Sequence, residues 1–191
     1  RVRLPLAGEH NRANAIAAIV AAEHIGITPA ESIEVLAAFQ GVRRRLEVRG
    51  TVGGVTVIDD FAHHPTAIAT TIAGLRARMQ AGSHPGGRLL AVLEPRSNTM
   101  RTGTLKAQLP ASLQDADLVF CYAGGIDWDA QAALAPLGER VAVFRDMPAL
   151  EAAILAAARP GDQVLVMSNG GFGGIHGRLL AGLDSREGNG K

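Results

Sequence analysis

The amino-acid sequence predicts an α/β fold built on a doubly wound, mostly parallel sheet that opens with a β-hairpin and follows a pair of helices. Three observations carry this prediction. After Pro65, short runs rich in Val, Leu and Ile alternate with segments of helical spacing, the rhythm of strands joined by crossover helices. Before it, residues 46–59 alternate in polarity around Gly53-Gly54, a pair suited to the positive φ angles of a tight turn. Between the two, the apolar pair Val57-Ile58 runs abruptly into Asp59-Asp60-Phe61-Ala62-His63-His64-Pro65. That order reads as strand, polar loop and a helix opened by proline, whose missing N–H costs nothing in a first turn.

Each element has its own signal. Residues 12–25 carry apolar side chains at helical spacing and stop near Gly26. Thr28-Pro29-Ala30-Glu31 has the form of a capping box, and the second helix runs to about Phe39 before Gly41. The hairpin follows, then a helix over 66–80 ending at Ala81-Gly82. A strand covers Arg88–Glu94, and a helix begins near Gly103 and breaks at Pro110. Strand Asp117–Tyr122 leads to a short helix around 129–135 and to strand Arg140–Phe144. Asp146 caps a helix over 148–158, strand Gln163–Met167 follows, and the last helix occupies about 174–183. This alternation describes a Rossmann-like sheet covered on both faces. Residues 185–191 contain no apolar side chain and are expected to be a disordered tail. Residues 43–184 therefore form a complete α/β domain. Residues 1–42 are a helical pair too small for a core of its own, read as the truncated helical end of a preceding domain. The start at Arg1, without methionine, fits a piece of a longer protein.

Composition excludes several classes. Apolar residues make up 47% of 191, enough for a sizeable core. The net charge is only +1 and the basic residues are scattered, which argues against a nucleic-acid or anionic-membrane surface. The longest apolar stretch, Ala13 to Ala22, is too short to span a bilayer, and there is no signal-peptide core. The single cysteine, Cys121, rules out an intramolecular disulfide and suits a reducing cytosol. Cys121 and Trp128 read as packing residues, His24 and His84 as surface.

Five clusters could carry chemistry. Asp59, Asp60, His63 and His64 lie at a strand's carboxyl end, where open α/β sheets bind ligands; a loop cap or a core histidine would account for any one of them. Gly8-Glu9-His10-Asn11-Arg12-Ala13-Asn14 offers amides able to read a base edge, or simply a helix cap at Asn11. Arg43-Arg44-Arg45 can clamp phosphate or form a solvated linker. Glu94-Pro95-Arg96-Ser97-Asn98-Thr99-Met100-Arg101 follows a strand and suits an anionic ligand, or is a surface turn. Ser168-Asn169-Gly170-Gly171-Phe172-Gly173-Gly174-Ile175-His176 can bring backbone N–H groups close to an anion. It is not a dinucleotide fingerprint, because the third glycine position holds His176, and no Gly-Lys-Ser/Thr phosphate loop occurs.

Taken together in this order, the clusters resemble the Mur ligases, ATP-dependent enzymes that form peptide bonds. The likeness runs to about Leu183. The resemblance implies that His10, Asn11 and Asn14 surround adenine, Arg45 reaches the phosphates, and Asp60 takes the ribose hydroxyls. It makes His63, His64 and Arg45 the catalytic group, and turns Arg96, Ser97, Asn98, Asn169, Gly171 and His176 toward the incoming substrate. The Glu94 loop and the glycine turn resemble the family's murein-recycling branch. That branch joins L-Ala-γ-D-Glu-meso-diaminopimelate to UDP-N-acetylmuramate through an acyl phosphate, with ATP and Mg²⁺. The branch that adds L-alanine instead is the alternative. A bacterial, cytoplasmic enzyme is implied, with no metal ligand, nucleic acid or membrane contact in these residues. Because the family's phosphate loop and UDP-sugar domain are not in this sequence, the 191 residues alone are expected to be inactive. Their uncovered helices are expected to self-associate weakly.

Two other classes stay open on the residues themselves. A metal-dependent phosphoesterase would use Asp59, Asp60, His63 and His64 as mixed carboxylate and imidazole ligands. A non-catalytic α/β binding module would use the same loops without chemistry.

Overall fold

The computed structural model describes residues 9–39, 41–82 and 86–188, without the side chains of Glu9, His10 and Glu187. The site expectation for the His10 side chain, the surface position of His84 and residues 189–191 of the expected tail lie outside the described residues.

Helix α1 (Glu9–His24) packs against α2 (Pro29–Ala37). Thr28 closes the expected capping box: its hydroxyl accepts from Glu31 N while the Glu31 carboxylate accepts from Thr28 N at 2.8 Å. Strands β1 (Glu47–Val52) and β2 (Val55–Asp60) form the hairpin, with φ of +57° at Gly53 and +72° at Gly54. Both residues of the turn are left-handed, which matches the twist of the flanking strands.

The remaining strands are β3 (Leu89–Leu93), β4 (Leu118–Tyr122), β5 (Val141–Phe144) and β6 (Gln163–Met167). The six strands lie in the order β1-β2-β6-β3-β4-β5, and only the β1–β2 pair is antiparallel. Helices α3 (Pro65–Ala81), α5 (Leu109–Leu113) and α6 (Ala130–Leu134) cover one face; α7 (Met147–Ala157) and α8 (Ile175–Gly188) cover the other. Strand side chains alternate between the two cores. Ile58, Leu89, Ala91, Leu93 and Met167 meet α3 and α5, while Val57, Leu90, Val92, Val164 and Val166 meet α7 and α8. Both faces are buried, so the strands read as continuous apolar runs.

Two elements depart from the sequence reading. The helix expected near Gly103 is instead α4 (Asn98–Arg101), started by Ser97, whose hydroxyl accepts from Met100 N. Pro110 does not break a helix but sits in the first turn of α5, where proline is favoured. The second departure is at the end of the chain. Residues 185–188 continue α8, and Arg186 bonds the carbonyl of Leu155 on α7, so that part of the expected tail is helical.

Strand β6 is last in sequence yet central in space. Its Met167 pairs with Asp60 on one side and Leu93 on the other. The chain leaves β2 and β3 toward the α3–α5 face and leaves β6 toward α8. Two crevices therefore flank the carboxyl end of β6, the places where such sheets bind ligands.

Candidate functional site

In the crevice between β2 and β6, Asp59 is the hub. It points to the α8 face, whereas Asp60, one residue on, points to α3, as strand pleating requires. Asp59 Oδ2 accepts from Arg44 Nε at 3.2 Å and lies 3.8 Å from Arg49 Nη1; its Oδ1 lies 3.3 Å from His176 Nε2. Burial pushes the His176 pKa below its ordinary value, helped by Arg49 and Arg44, while Asp59 opposes the shift.

Arg44 reaches across this crevice. Its Nη2 donates to the carbonyls of Ser168 (2.6 Å) and Gly170 (2.9 Å), and its guanidinium carbon stands 5.2 Å from the centroid of the Phe61 ring. The backbone at Arg44 is left-handed, φ +58°, and so is that at Leu46, φ +48°. Non-glycine residues adopt this region at a cost of about 1–2 kcal/mol, and here neighbours hold it. Arg44 N donates to Glu47 Oε2 at 2.7 Å, and Arg44 O accepts from Phe61 N at 2.9 Å.

Asp60 is 2% exposed. Its Oδ1 accepts from Ala62 N (2.8 Å) and Thr71 Oγ1 (3.2 Å), and its Oδ2 accepts from Leu46 N (2.8 Å). This carboxylate fastens the loop to the hairpin and to α3, and turns inward. The expected ribose-binding role of Asp60 remains a proposal beside this structural one.

In the crevice between β6 and β3, Ser168 Oγ donates to Glu94 Oε2 at 2.5 Å and accepts from Gly170 N at 2.9 Å. The Arg96 guanidinium lies against Gly170, in the space that a Cβ there would take. Beside Arg96 opens a cleft of about 360 Å³, bounded by Glu94, Arg101, Tyr122 and Gly124. Arg101 is steadied by Gly125, whose carbonyl accepts from Arg101 Nε at 3.1 Å.

The expected site residues thus separate into groups. Arg96 meets the glycine turn bearing Asn169 and Gly171, while Ser97 is occupied in capping α4 and Asn98 is exposed in its first turn. His176 does not join them: it is buried against Asp59 in the other crevice, because it follows the glycine turn inward on α8. Arg45 is exposed, next to the half-buried anchor Arg44. His64 is exposed in the N-cap position of α3; His63 is half-buried, with Nδ1 2.9 Å from Phe61 O and its ring edge-on to Phe61 and to His64. Asn14 is exposed on α1 and Asn11 is half-buried there. Among the described residues, no group of three or more His, Cys, Asp or Glu side chains is placed to hold a metal ion. The phosphoesterase alternative lacks its ligand set for that reason: Asp59 and Asp60 face opposite sides of the sheet. Glu94 and Ser168 stood inside motifs noted in the sequence but were not among the site residues; only their meeting across two strands reveals them.

The family comparison decides the relationship. Residues 44–170 match the family described as Mur ligase, glutamate ligase domain. The chain belongs to the Mur ligase family. Among known Mur ligases it is 47% identical over 183 residues to the UDP-N-acetylmuramate–L-alanyl-γ-D-glutamyl-meso-2,6-diaminoheptandioate ligase of Escherichia coli (strain K12), covering 95% of this chain and 39% of that protein. The structure of a murein peptide ligase from Psychrobacter arcticus 273-4 aligns with TM-score 0.75 and 38% identity, over 96% of this chain and 38% of that one. The MurF ligase of Thermotoga maritima, solved with ADP, shares the fold at 19% identity, with TM-score 0.71 over 97% of this chain and 41% of that one. The chain spans about two fifths of the length of the curated relative. Among the described residues no helix is long and apolar enough to cross a membrane.

Proposed function

We propose that this chain is part of an ATP-dependent ligase that joins L-Ala-γ-D-Glu-meso-diaminopimelate to UDP-N-acetylmuramate in the recycling of bacterial peptidoglycan. The observation that carries the reading is the Arg96 cleft at the carboxyl ends of β3 and β4: Arg96, which lines it, lies against the glycine turn that the Glu94–Ser168 bond ties to the Glu94 loop. An acceptor tripeptide carries several carboxylates, and arginine grips a carboxylate with two parallel N–H bonds. The 47% identity to an E. coli enzyme named for that substrate supports the same assignment.

Joining a carboxylate to an amine in water is uphill, so the carboxylate must first be activated. Transfer of the ATP γ-phosphoryl group to the lactyl carboxylate gives an acyl phosphate and ADP. The acceptor amine then attacks the carbonyl carbon, forms the C–N bond through a tetrahedral oxyanion, loses its proton and expels phosphate. In this proposal exposed Arg45 meets the transferring phosphoryl charge, His63 and His64 line the reaction cleft, and Arg96 with Asn98 and the glycine turn orients the acceptor. Asn11, Asn14 and His10 remain proposed for adenine. Such fixed donors act most strongly when the closing site expels water. An ADP-bound ligase of the same fold supports nucleotide use. Mg²⁺ is proposed to accompany ATP and to be held mainly by the nucleotide phosphates and by parts of the enzyme outside these residues.

The test is acceptor competition in the full-length protein with UDP-N-acetylmuramate and ATP. The tripeptide is expected to exceed L-alanine in kcat/KM by at least about a hundredfold, because the smaller acceptor leaves polar groups of the site unpaired. A preference for L-alanine would transfer the assignment to the L-alanine-adding branch.

A further inference from the structure

The two crevices beside β6 share one residue. Gly170 is pinned from both sides, its carbonyl by Arg44 Nη2 and its N–H by Ser168 Oγ, which Glu94 fixes in turn. Against that peptide, in the space a side chain would take, lies the Arg96 guanidinium. We infer that Arg44 is a positioning residue for the Arg96 cleft: by gripping the carbonyls of Ser168 and Gly170 it fixes the turn on which Arg96 rests. This inference rests on the reading of the cleft as the acceptor site.

Three features of Arg44 suit this task better than phosphate binding. Its Nε and Nη2 are committed to Asp59 and to the two carbonyls, and its flat face lies over Phe61. Its left-handed backbone is held by Glu47 and Phe61, a local cost that persists only where neighbours over-determine the geometry. The planar fork also matters: a lysine ammonium is a point charge and cannot hold a carboxylate and two carbonyls in fixed directions. A shift of Gly170 by a fraction of an ångström is therefore passed directly to Arg96.

In the full-length protein, Arg44→Lys is expected to raise the tripeptide KM about tenfold, the scale of a small misplacement of a binding group, with the ATP KM changed less than twofold. Gly170→Ala should give the same signature, since its methyl displaces Arg96 without touching Arg44. Arg88→Lys, which weakens the ion pair with Asp162 at the amino ends of β3 and β6, should lower Tm and leave both KM values alone. If Gly170→Ala raises the tripeptide KM but Arg44→Lys does not, or if Arg44→Lys moves the ATP KM instead, the inference falls. If Arg96→Ala leaves tripeptide use intact, it is the acceptor-site reading that fails. The coupling is then decided in the 191-residue chain by the NMR resonance of the Arg96 Nε–H: a shift on Arg44→Lys upholds it, and an unmoved resonance overturns it.

Discussion

Glu94 and Ser168, at the ends of neighbouring parallel strands, share a 2.5 Å hydrogen bond in which the serine hydroxyl donates to the carboxylate. The same hydroxyl accepts from Gly170 N. Ser168→Ala thus strands both a carboxylate and a backbone N–H. A loss of about 1–3 kcal/mol is expected, seen as a fall in Tm of roughly 2–4 °C per kcal/mol for a chain of this size. A double-mutant cycle with Glu94→Gln should show coupling; additive losses would mean the bond contributes nothing.

Asp60→Ala should damage the fold. Leu46 N, Ala62 N and the Thr71 hydroxyl all lose an acceptor in a buried place. The expected cost is about 2–4 kcal/mol, from more than one orphaned donor. Chemical denaturation of the 191-residue chain measures it directly. An unchanged midpoint would show that these three hydrogen bonds do not hold the fold together.

Acid should weaken the molecule partly through His176. Burial keeps its folded pKa below the ordinary value near 6.5. As pH falls below about 6.5, the unfolded chain takes up this proton before the folded one, so stability declines until the folded imidazole is protonated too. His176→Gln removes that contribution. Its denaturation free energy should fall less steeply between pH 7 and 5 than that of the parent, and parallel curves would contradict the assignment.

Cys121 should be silent toward thiol reagents while the chain is folded. The side chain is fully buried in the α3–α5 core, and burial pushes its pKa up to about 12. The thiolate is the reactive form, so labelling by a disulfide reagent should occur only on unfolding. Rapid labelling in native buffer would show that the sheet opens near β4.

The α1–α2 pair should be the least protected part of the chain. Ile16, Val20 and Val35 are 62%, 59% and 71% exposed, and no residue of α2 is buried. Apolar surface of this kind promotes association. Hydrogen exchange over residues 9–39 should outpace the sheet, and sedimentation should show weak self-association that Ile16→Ser with Val20→Ser removes. Slow exchange in a clean monomer would contradict both.

Much of this was legible because its causes are local. Asp146 caps α7 by accepting from Ala149 N, and the Thr28 box and Gly53-Gly54 turn are set within four residues. The doubly wound sheet followed from apolar runs alternating with helices. What escaped depends on direction, which spacing does not carry. Arg43, Arg44 and Arg45 are equivalent in sequence, and only the left-handed turn at Arg44 sends that guanidinium inward and leaves Arg45 outside. Asp59 and Asp60 are equally polar, but the pleat gives one to α8 and the other to α3. The site's central tie, Glu94 to Ser168, joins residues 74 positions apart.

The central place of β6 also sets the order in which this molecule is completed. The ribosome releases β2, β3, β4 and β5 before the strand that lies between β2 and β3. Until residues 163–167 emerge, the inner edges of β2 and β3 carry unpaired backbone groups, and the hairpin has no parallel neighbour. Pairings between residues so distant in sequence form late, because the loop they close must be ordered first. The joint that carries both crevices thus cannot form before residues 163–167 are made, so the crevices and the finished sheet arrive together.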